Sequence, residues 1–454
     1  MEPLEGKMTG APNPESISTK LQRIATLARK IPGPLNTLAH CIDIEWLKEA
    51  YRRTRKDGAV GVDGQSADDY ARDLEANLQS LLDRAKSGTY RAPPVRRVEI
   101  PKPGKPNATR PIGIPTFEDK ILQRAVAMVL EAVYEQDFLD CSWGFRPQRS
   151  AHGALHDLRE RARKMQGGWV IELDFQRFFD TLDHQRLREI LHQRVRDGVL
   201  LRLIGKWLNA GVLKEGQVVH PHTGTPQGGV ISPLLANIYL HEVLDLWFAR
   251  RVCPRLQGQA HLVRYADDAV LLFAQEEDAR KVLAALPRRV QSYGLHLHPE
   301  KTRLLEFHPR SNRPSPSGPS AGGRSFDFLG FTHYWARSRR AFWVIQRRTA
   351  SDRFSRAVRT ANEWCRRHRH LPVKQQHTML CRKLRGHFSY YGITGNSLAL
   401  DRFLYVVTRM WRKWLDRRSQ GRVMTWERFA RFLARYPLPP PRPVHSTLLC
   451  AANP

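Results

Sequence analysis

Leu262-Val263-Arg264-Tyr265-Ala266-Asp267-Asp268-Ala269-Val270-Leu271-Leu272-Phe273 is the stretch that decides the fold. Two apolar runs flank a Tyr-Ala-Asp-Asp centre. The flanks have strand composition and Asp tolerates turn geometry, so the stretch reads as a β-hairpin with adjacent acids at its tip. An Asp-Asp pair in a turn is common for local reasons and says little alone. With a third acid, two carboxylates on a rigid hairpin can bind a pair of Mg²⁺ ions about 4 Å apart, the arrangement that serves in-line phosphoryl displacement.

A third acid stands upstream, in Trp169-Val170-Ile171-Glu172-Leu173-Asp174-Phe175-Gln176-Arg177-Phe178-Phe179-Asp180. Trp169 to Phe175 is a short, apolar, β-branched run of the kind that makes a buried strand, with Asp174 near its C-terminal end. Asp183, just before His184-Gln185-Arg186-Leu187, sits where a helix cap is expected. Asp174 is therefore left free for chemistry. Mg²⁺ takes hard oxygen ligands and keeps only one or two protein carboxylates per ion, so Asp174, Asp267 and Asp268 suffice together with substrate phosphates.

These residues, with Gly224-Thr225-Pro226-Gln227-Gly228-Gly229-Val230-Ile231-Ser232-Pro233 between them, resemble a bacterial group II intron-encoded reverse transcriptase and maturase of the type lacking an endonuclease domain. The resemblance implies an α+β right-hand polymerase, with fingers and palm built on antiparallel sheet, plus an α-helical thumb or maturase domain. It implies that Asp174, Asp267 and Asp268 are catalytic and, with Phe175, hold two Mg²⁺ ions. Gln227 would lie against the incoming nucleotide, and Gly228, Gly229, Tyr265 and Ala266 beside template and primer. The implied partners are a group II intron RNA, an RNA template, a DNA primer and deoxynucleoside triphosphates, in the bacterial cytoplasm beside the nucleoid.

The whole chain agrees in charge. Its 454 residues carry 74 Lys and Arg against 44 Asp and Glu, a net charge of +30, which implies a polyanionic partner, nucleic acid first. No apolar run approaches the about 18 residues needed to span a bilayer, so no membrane partner is expected. Met1 to Lys7 lacks the apolar core of a signal peptide. Six scattered cysteines without a Cys-x-x-Cys pair suit a reducing compartment.

In chain order, residues 1–90 are expected to form an N-terminal extension and the start of the fingers. Helical spacing runs from Ile17 to Arg55, and Gly58 to Gly64 reads as a plain turn. Residues 91–335 would hold fingers and palm. Arg96 to Pro106 and Thr109 to Pro115 read as two strands joined by a basic turn, from which Lys102, Lys105 and Arg110 could close over a triphosphate. Phe117 to Tyr134 reads as an amphipathic helix with Ile121, Ala125, Val129 and Val133 on one face. Ser142-Trp143-Gly144-Phe145-Arg146-Pro147 resembles a family motif near the template and makes Arg146 a candidate phosphate contact. By the same resemblance Phe179 would pack under the nucleotide sugar and select deoxynucleotides. Phe178 is then the core residue, since adjacent positions cannot face the same way.

Arg186 to Trp207 reads as helical, and Ser232-Pro233 as a helix start with Ser at the cap and Pro in the first turn. Glu276 to Tyr293 is expected to be a basic helix, followed by a loop and strand in which Lys301 resembles the family's palm lysine near the triphosphate. Pro309 to Ser325 is a loop by composition. Phe326 to Phe331 alternates as a strand and resembles the primer-side motif that closes the polymerase core.

From 331 to 440 there are 25 Lys and Arg against five acids, interleaved with Trp335, Trp343, Trp364, Trp411, Trp414 and Trp426. That mixture suits RNA, whose phosphates take the charge and whose unpaired bases stack on aromatic planes. A helical bundle with a tryptophan core and solvated arginines gives the same composition, and the two can share different faces. Residues 340–436 are the expected thumb, and Leu384 to Gly392 resembles it. Cys365, His368, His377 and Cys381 have spacings a zinc site could use, but without a Cys pair packing is the expectation. Residues 437–454 read as a short tail without an endonuclease domain, so a mobile element would use DNA ends or nicks made by others. Two other readings remain at this point: a host-adapted reverse transcriptase in repair or phage defence, and an RNA-binding splicing cofactor with an idle polymerase site.

Overall fold

A computed structural model describes residues 16–101, 109–214, 217–219, 228–309, 325–338, 340–418 and 424–445. Lys102, Lys105, Gln227, the stretch 310–324 and the tail beyond 445 lie outside the described residues. Side-chain caps start the first helices: Ser16 accepts from Thr19 N at α1 (Ile17–Lys30), and Asp43 accepts from Trp46 N at α2 (Ile44–Arg53). Then come α3 (Ala67–Ala71) and α4 (Leu74–Ser87), which ends on Gly88 at φ 86°, the left-handed conformation glycine adopts without a Cβ clash. All four surround α5 (Phe117–Tyr134). Its Ile121, Ala125, Val129 and Val133 are buried as the periodicity implies, and Leu122, Val126 and Leu130 widen the buried face beyond that stripe, leaving Lys120, Arg124 and Glu131 half-buried on the opposite side.

The strands are β1 (Val95–Pro101), β2 (Thr109–Ile114), β3 (Gly168–Leu173), β4 (Val212–Lys214), β5 (Gln217–Val219), β6 (Ala260–Tyr265), β7 (Asp268–Phe273), β8 (Arg303–Phe307), β9 (Ser325–Phe328), β10 (Phe331–Arg337) and β11 (Trp343–Thr349). They make three sheets, ordered β2-β1-β4-β5, β6-β7-β3-β8 and β9-β10-β11. In the central sheet β3 lies antiparallel between β7 and β8, with Leu173 opposite Ala269 and Glu172 opposite Arg303. Ile171, Leu173, Leu262, Leu271 and Phe273 face one apolar cluster; Val170, Val263, Val270 and Leu272 face another. A sheet covered on both faces explains the near-continuous apolar runs, each fully buried aliphatic side chain contributing about 1.5–3 kcal/mol.

The remaining helices are α6 (Ala151–Lys164), α7 (Phe178–Thr181), α8 (His184–Arg194), α9 (Gly198–Leu208), α10 (Ser232–Leu240), α11 (Glu276–Gln291), α12 (Ser351–Arg367), α13 (Val373–Tyr391), α14 (Ser397–Asp416) and α15 (Trp426–Arg435). α6 covers one face of the central sheet, and α5, α10 and α11 contribute to the cluster on the other. α10 runs on through wide π-type turns to Val252.

Four expectations are corrected. Arg186 to Trp207 is two helices: Val195 leaves the helix to bridge Leu35, and Asp197 caps α9 while also accepting from Leu38 N (2.6 Å) and Ala39 N (2.8 Å). Ser232 is the first helical residue and gives no side-chain cap; Ile231 holds the cap position. Phe326 to Phe328 is strand as expected, but the strand stops there: Leu329 at φ 49° and Gly330 at φ 79° turn the chain into β10 at Phe331. The expected junction near 335–340 falls inside the β10–β11 hairpin, whose strands pair from Phe331↔Thr349 to Arg337↔Trp343.

Beyond it, α12 to α15 pack around Trp364, Trp411, Trp414 and Phe429. Trp426 is 54% exposed with the Arg412 guanidinium 3.7 Å above its ring. His368 bonds the Trp364 carbonyl, and His377 bonds the Pro437 carbonyl and stacks on Trp411, so both are engaged in packing contacts. No helix among the described residues is long and apolar enough to cross a membrane.

Candidate active site

The Tyr-Ala-Asp-Asp hairpin turns in two residues, Tyr265 pairing with Asp268 across Ala266 and Asp267. Ala266 sits at φ 56°, a left-handed conformation costly for a residue with a Cβ, and such strain persists only where surroundings impose it. They do so from below. Arg264, fully buried, donates to the Ala266 carbonyl (2.9 Å), to Asn237 Oδ1 (3.0 Å), to Ser142 Oγ (2.8 Å) and to both oxygens of Asp245 (2.8 and 2.6 Å). Asn237 in turn donates to the Gly144 carbonyl (2.6 Å). A Cβ on Gly144 would stand 2.4 Å from Ala266 N, so only glycine lets this loop lie flat against the turn. Burial pushes the Asp245 carboxyl up, but the adjacent Arg264 guanidinium outweighs it and holds Asp245 below its ordinary range.

Asp174 follows the last residue of β3. A strap holds it: its carbonyl accepts from His298 N (2.8 Å), Gln176 N donates to the His296 carbonyl (2.8 Å), and Lys301 Nζ reaches its carboxylate at 2.9 Å. The charge of Asp174 reaches both Asp267 and Asp268. Burial, then Asp174, pushes the Asp267 carboxyl up, with Arg110 and Arg264 opposing. Burial, then Asp267 and Asp174, pushes Asp268 up to about 6, with Arg353 and Lys301 opposing. Asp268 is exposed within the cleft although protein surrounds it on most sides, so solvent tempers that shift. The cleft holds about 370 Å³ and is lined by Asp174, Asp268, Glu300, Lys301, Asp352 and Arg353 among others.

Three hard carboxylates carrying more negative charge than their neighbours neutralise fit divalent cations. In this structure they are not drawn into a closed ligand shell, and Lys301 occupies one Asp174 oxygen. The Phe175 ring is buried against Phe178 (5.8 Å), so only its backbone carbonyl is left to offer a cation.

The other expected residues divide. Arg110, on β2, is exposed and its charge reaches Asp267. Phe179 is half-buried beside the buried Phe178. Gly228 has φ 123° and lies against β2, where a Cβ would meet the Gly113 carbonyl oxygen at 2.5 Å. Gly229 is buried beside it, and the following Val230 N donates to Gln123 Oε1 of α5 (2.8 Å). Tyr265 is half-buried next to the 55% exposed ring of Phe145. Arg146 is the correction. Its guanidinium is bound to Glu135 (3.0 Å) and to the Leu139 and Ser142 carbonyls, with a side chain only 4% exposed. It braces the loop under the hairpin, with four of its five N–H donors held by Glu135 and the two carbonyls.

Several residues escaped the sequence reading. Arg264 interrupts a core strand, and a charge in such a run signals a buried partner; Asp245 is that partner. Arg353 and Asp352, at the start of α12, enter the cleft from nearly ninety residues downstream of Asp267, and nothing local announces them. Glu172 bridges Arg303 and the Asp327 backbone N–H, tying β3, β8 and β9 together behind Asp174.

Residues 100–333 match the profile of the family described as reverse transcriptase (RNA-dependent DNA polymerase). The chain is 43% identical over 258 residues to the group II intron-encoded protein LtrA of Lactococcus lactis subsp. cremoris, a match covering 54% of this chain and 42% of LtrA. It is 36% identical over 321 residues to protein YkfC of Escherichia coli, covering 62% of this chain and 80% of that protein. It is 38% identical over 166 residues to a 91 kDa protein in a cob intron of Schizosaccharomyces pombe, covering 37% of this chain and 20% of that protein. The chain thus spans under half the length of LtrA. With a profile matched across more than half of its residues and most of YkfC aligned, the chain belongs to the reverse transcriptase family.

Proposed function

We propose that the protein is an RNA-directed DNA polymerase that also binds a group II intron RNA, assisting its splicing and copying it into DNA. One observation carries the polymerase half: three carboxylates, one just past β3 and two on a turn braced by a buried Arg–Asp pair, come close enough that the charge of Asp174 pushes both Asp267 and Asp268 up. The identity to LtrA supports the intron half.

Asp174, Asp267 and Asp268, with the Phe175 carbonyl, would hold two Mg²⁺ ions, which when bound stabilise charge on the phosphoryl oxygens. Arg110, from an exposed strand edge, would fork onto the triphosphate, with Lys301 as a point charge once it leaves Asp174. Phe179, whose ring is half-buried beside Phe178, would pack under the nucleotide sugar and collide with a 2′-hydroxyl. Gly228, Gly229, Tyr265 and Ala266 would carry the template and primer strands over a surface kept flat by the absence of side chains at the glycines. The bundle of α12 to α15 would act as the thumb, its buried tryptophans making the core and its exposed arginines meeting RNA phosphates.

Asp267→Asn with Asp268→Asn tests this reading. Extension of a DNA primer on an RNA template should disappear while RNA binding persists. Synthesis surviving at a substantial rate would defeat the assignment.

A further inference from the structure

Away from the carboxylate cleft, α8, α9 and the turn after α4 enclose a groove of about 630 Å³ in which no acidic residue takes part. Arg188 and His192 stand four residues apart on α8, and Arg202 and Lys206 four apart on α9. Each pair is separated by about 6 Å along its helix, comparable to the spacing of successive phosphates on a nucleic-acid strand.

This is more than a set of solvated cations. On the outer side of α8, Arg186 pairs with Glu189 at 3.0 Å, whereas Arg188 and Arg202 have no carboxylate partner among the described residues. Lys206 Nζ is fixed by the carbonyls of Gly88 (2.6 Å) and Tyr90. The guanidinium groups lie close over two glycines: the Cβ position of Gly88 is 3.2 Å from Arg202 Cζ, and that of Gly205 is 3.4 Å from an Arg188 nitrogen. Tyr90 is 1% exposed with its hydroxyl given to Asp119, which leaves the small imidazole of His192 as the exposed ring of the lining.

We propose that this groove is a second RNA-binding surface, gripping the phosphates of base-paired RNA outside the polymerase cleft. Basic side chains on two neighbouring helices suit two backbone strands across a groove, and a single imidazole offers little of the stacking surface by which single strands are usually held. The inference rests on the reading of the chain as an RNA-handling protein.

The test compares the full chain with Arg188→Ala/Arg202→Ala and Arg188→Lys/Arg202→Lys, using a fully paired RNA hairpin, a single-stranded uridine oligomer and phosphatidylserine vesicles. Both arginines are exposed, so folding should survive. The alanine pair should bind the hairpin about tenfold more weakly, with the slope of log affinity against log salt reduced by about two, roughly one per lost phosphate contact. The lysine pair should keep the slope, and extension of a short primer–template should be unchanged. Unaltered hairpin affinity and slope would overturn the proposal, as would an equal loss for the oligomer or a loss confined to vesicles. If the unsubstituted protein failed to extend a primer yet the hairpin loss appeared, the polymerase reading would fall and the groove would stand.

Discussion

Asp245 and Asp268 are joined by a single buried hairpin and meet opposite fates. Asp245 is shut away with the Arg264 guanidinium on both its oxygens and stays ionised below its ordinary range. Asp268 stands at the cleft, and burial first and then two like charges, only partly offset by Arg353 and Lys301, push it up to about 6. Where the protein supplies the countercharge, a carboxylate is a structural part. Where it withholds one, the countercharge is left to a ligand.

The sharpest break of this contrast is the Asp267→Asn/Asp268→Asn pair, which should remove DNA synthesis and cost no stability. Asp245→Leu should do the reverse in kind, leaving Arg264 buried and unpaired at a cost of about 3–5 kcal/mol in urea unfolding. Asp245→Leu with Arg264→Met should recover most of that stability but not synthesis, because the Ala266 carbonyl loses its donor; a double variant as unstable as the single would show the pair contributes more than mutual neutralisation. Gly144→Ala pushes directly on Ala266 N and should lower synthesis strongly, with a smaller drop in melting temperature.

The mildest effect is on pH. Asp268 binds its proton more readily folded, near 6, than unfolded, near 3.8. The native state therefore holds the extra proton between these values, and this group lowers stability as pH rises from about 4 through about 6, with its cost complete above that. Asp268→Asn should remove that slope and raise the melting temperature slightly at pH 7. Added Mg²⁺ should stabilise the unsubstituted protein more at pH 7 than at pH 5, and stabilise the Asp267→Asn/Asp268→Asn variant at neither.

Much of the polymerase core was legible because its signals are local. The hairpin, β3 with Asp174 at its end, α5 and the Asp183 cap are each written in a dozen residues of spacing and propensity. What escaped depends on distant partners. The break at 195–197 is made by Leu35, Leu38 and Ala39, about 160 residues earlier. Arg146 was weighed by its charge, while its fate was set by Glu135, eleven positions back on the far side of a loop. Ser232 had the residue type of a cap but lies one step inside the helix, with Ile231 at the cap position. Arg353 reaches the cleft only because the β9–β10–β11 sheet carries the chain back across it.

Asp197 also sets an order of events during synthesis of the chain. Its carboxylate collects the backbone amides of Leu38, Ala39, Val199 and Leu200, so the segment after α1 is anchored by a residue translated 159 positions after Leu38. At ribosomal speeds of about 5–20 residues per second, that interval is on the order of ten seconds or more. α5, on which α1 and α2 pack, is complete well before Asp197 emerges, so during that interval the two helices can dock while the Leu38 and Ala39 amides still lack their acceptor, and only the arrival of Asp197 locks the segment between them.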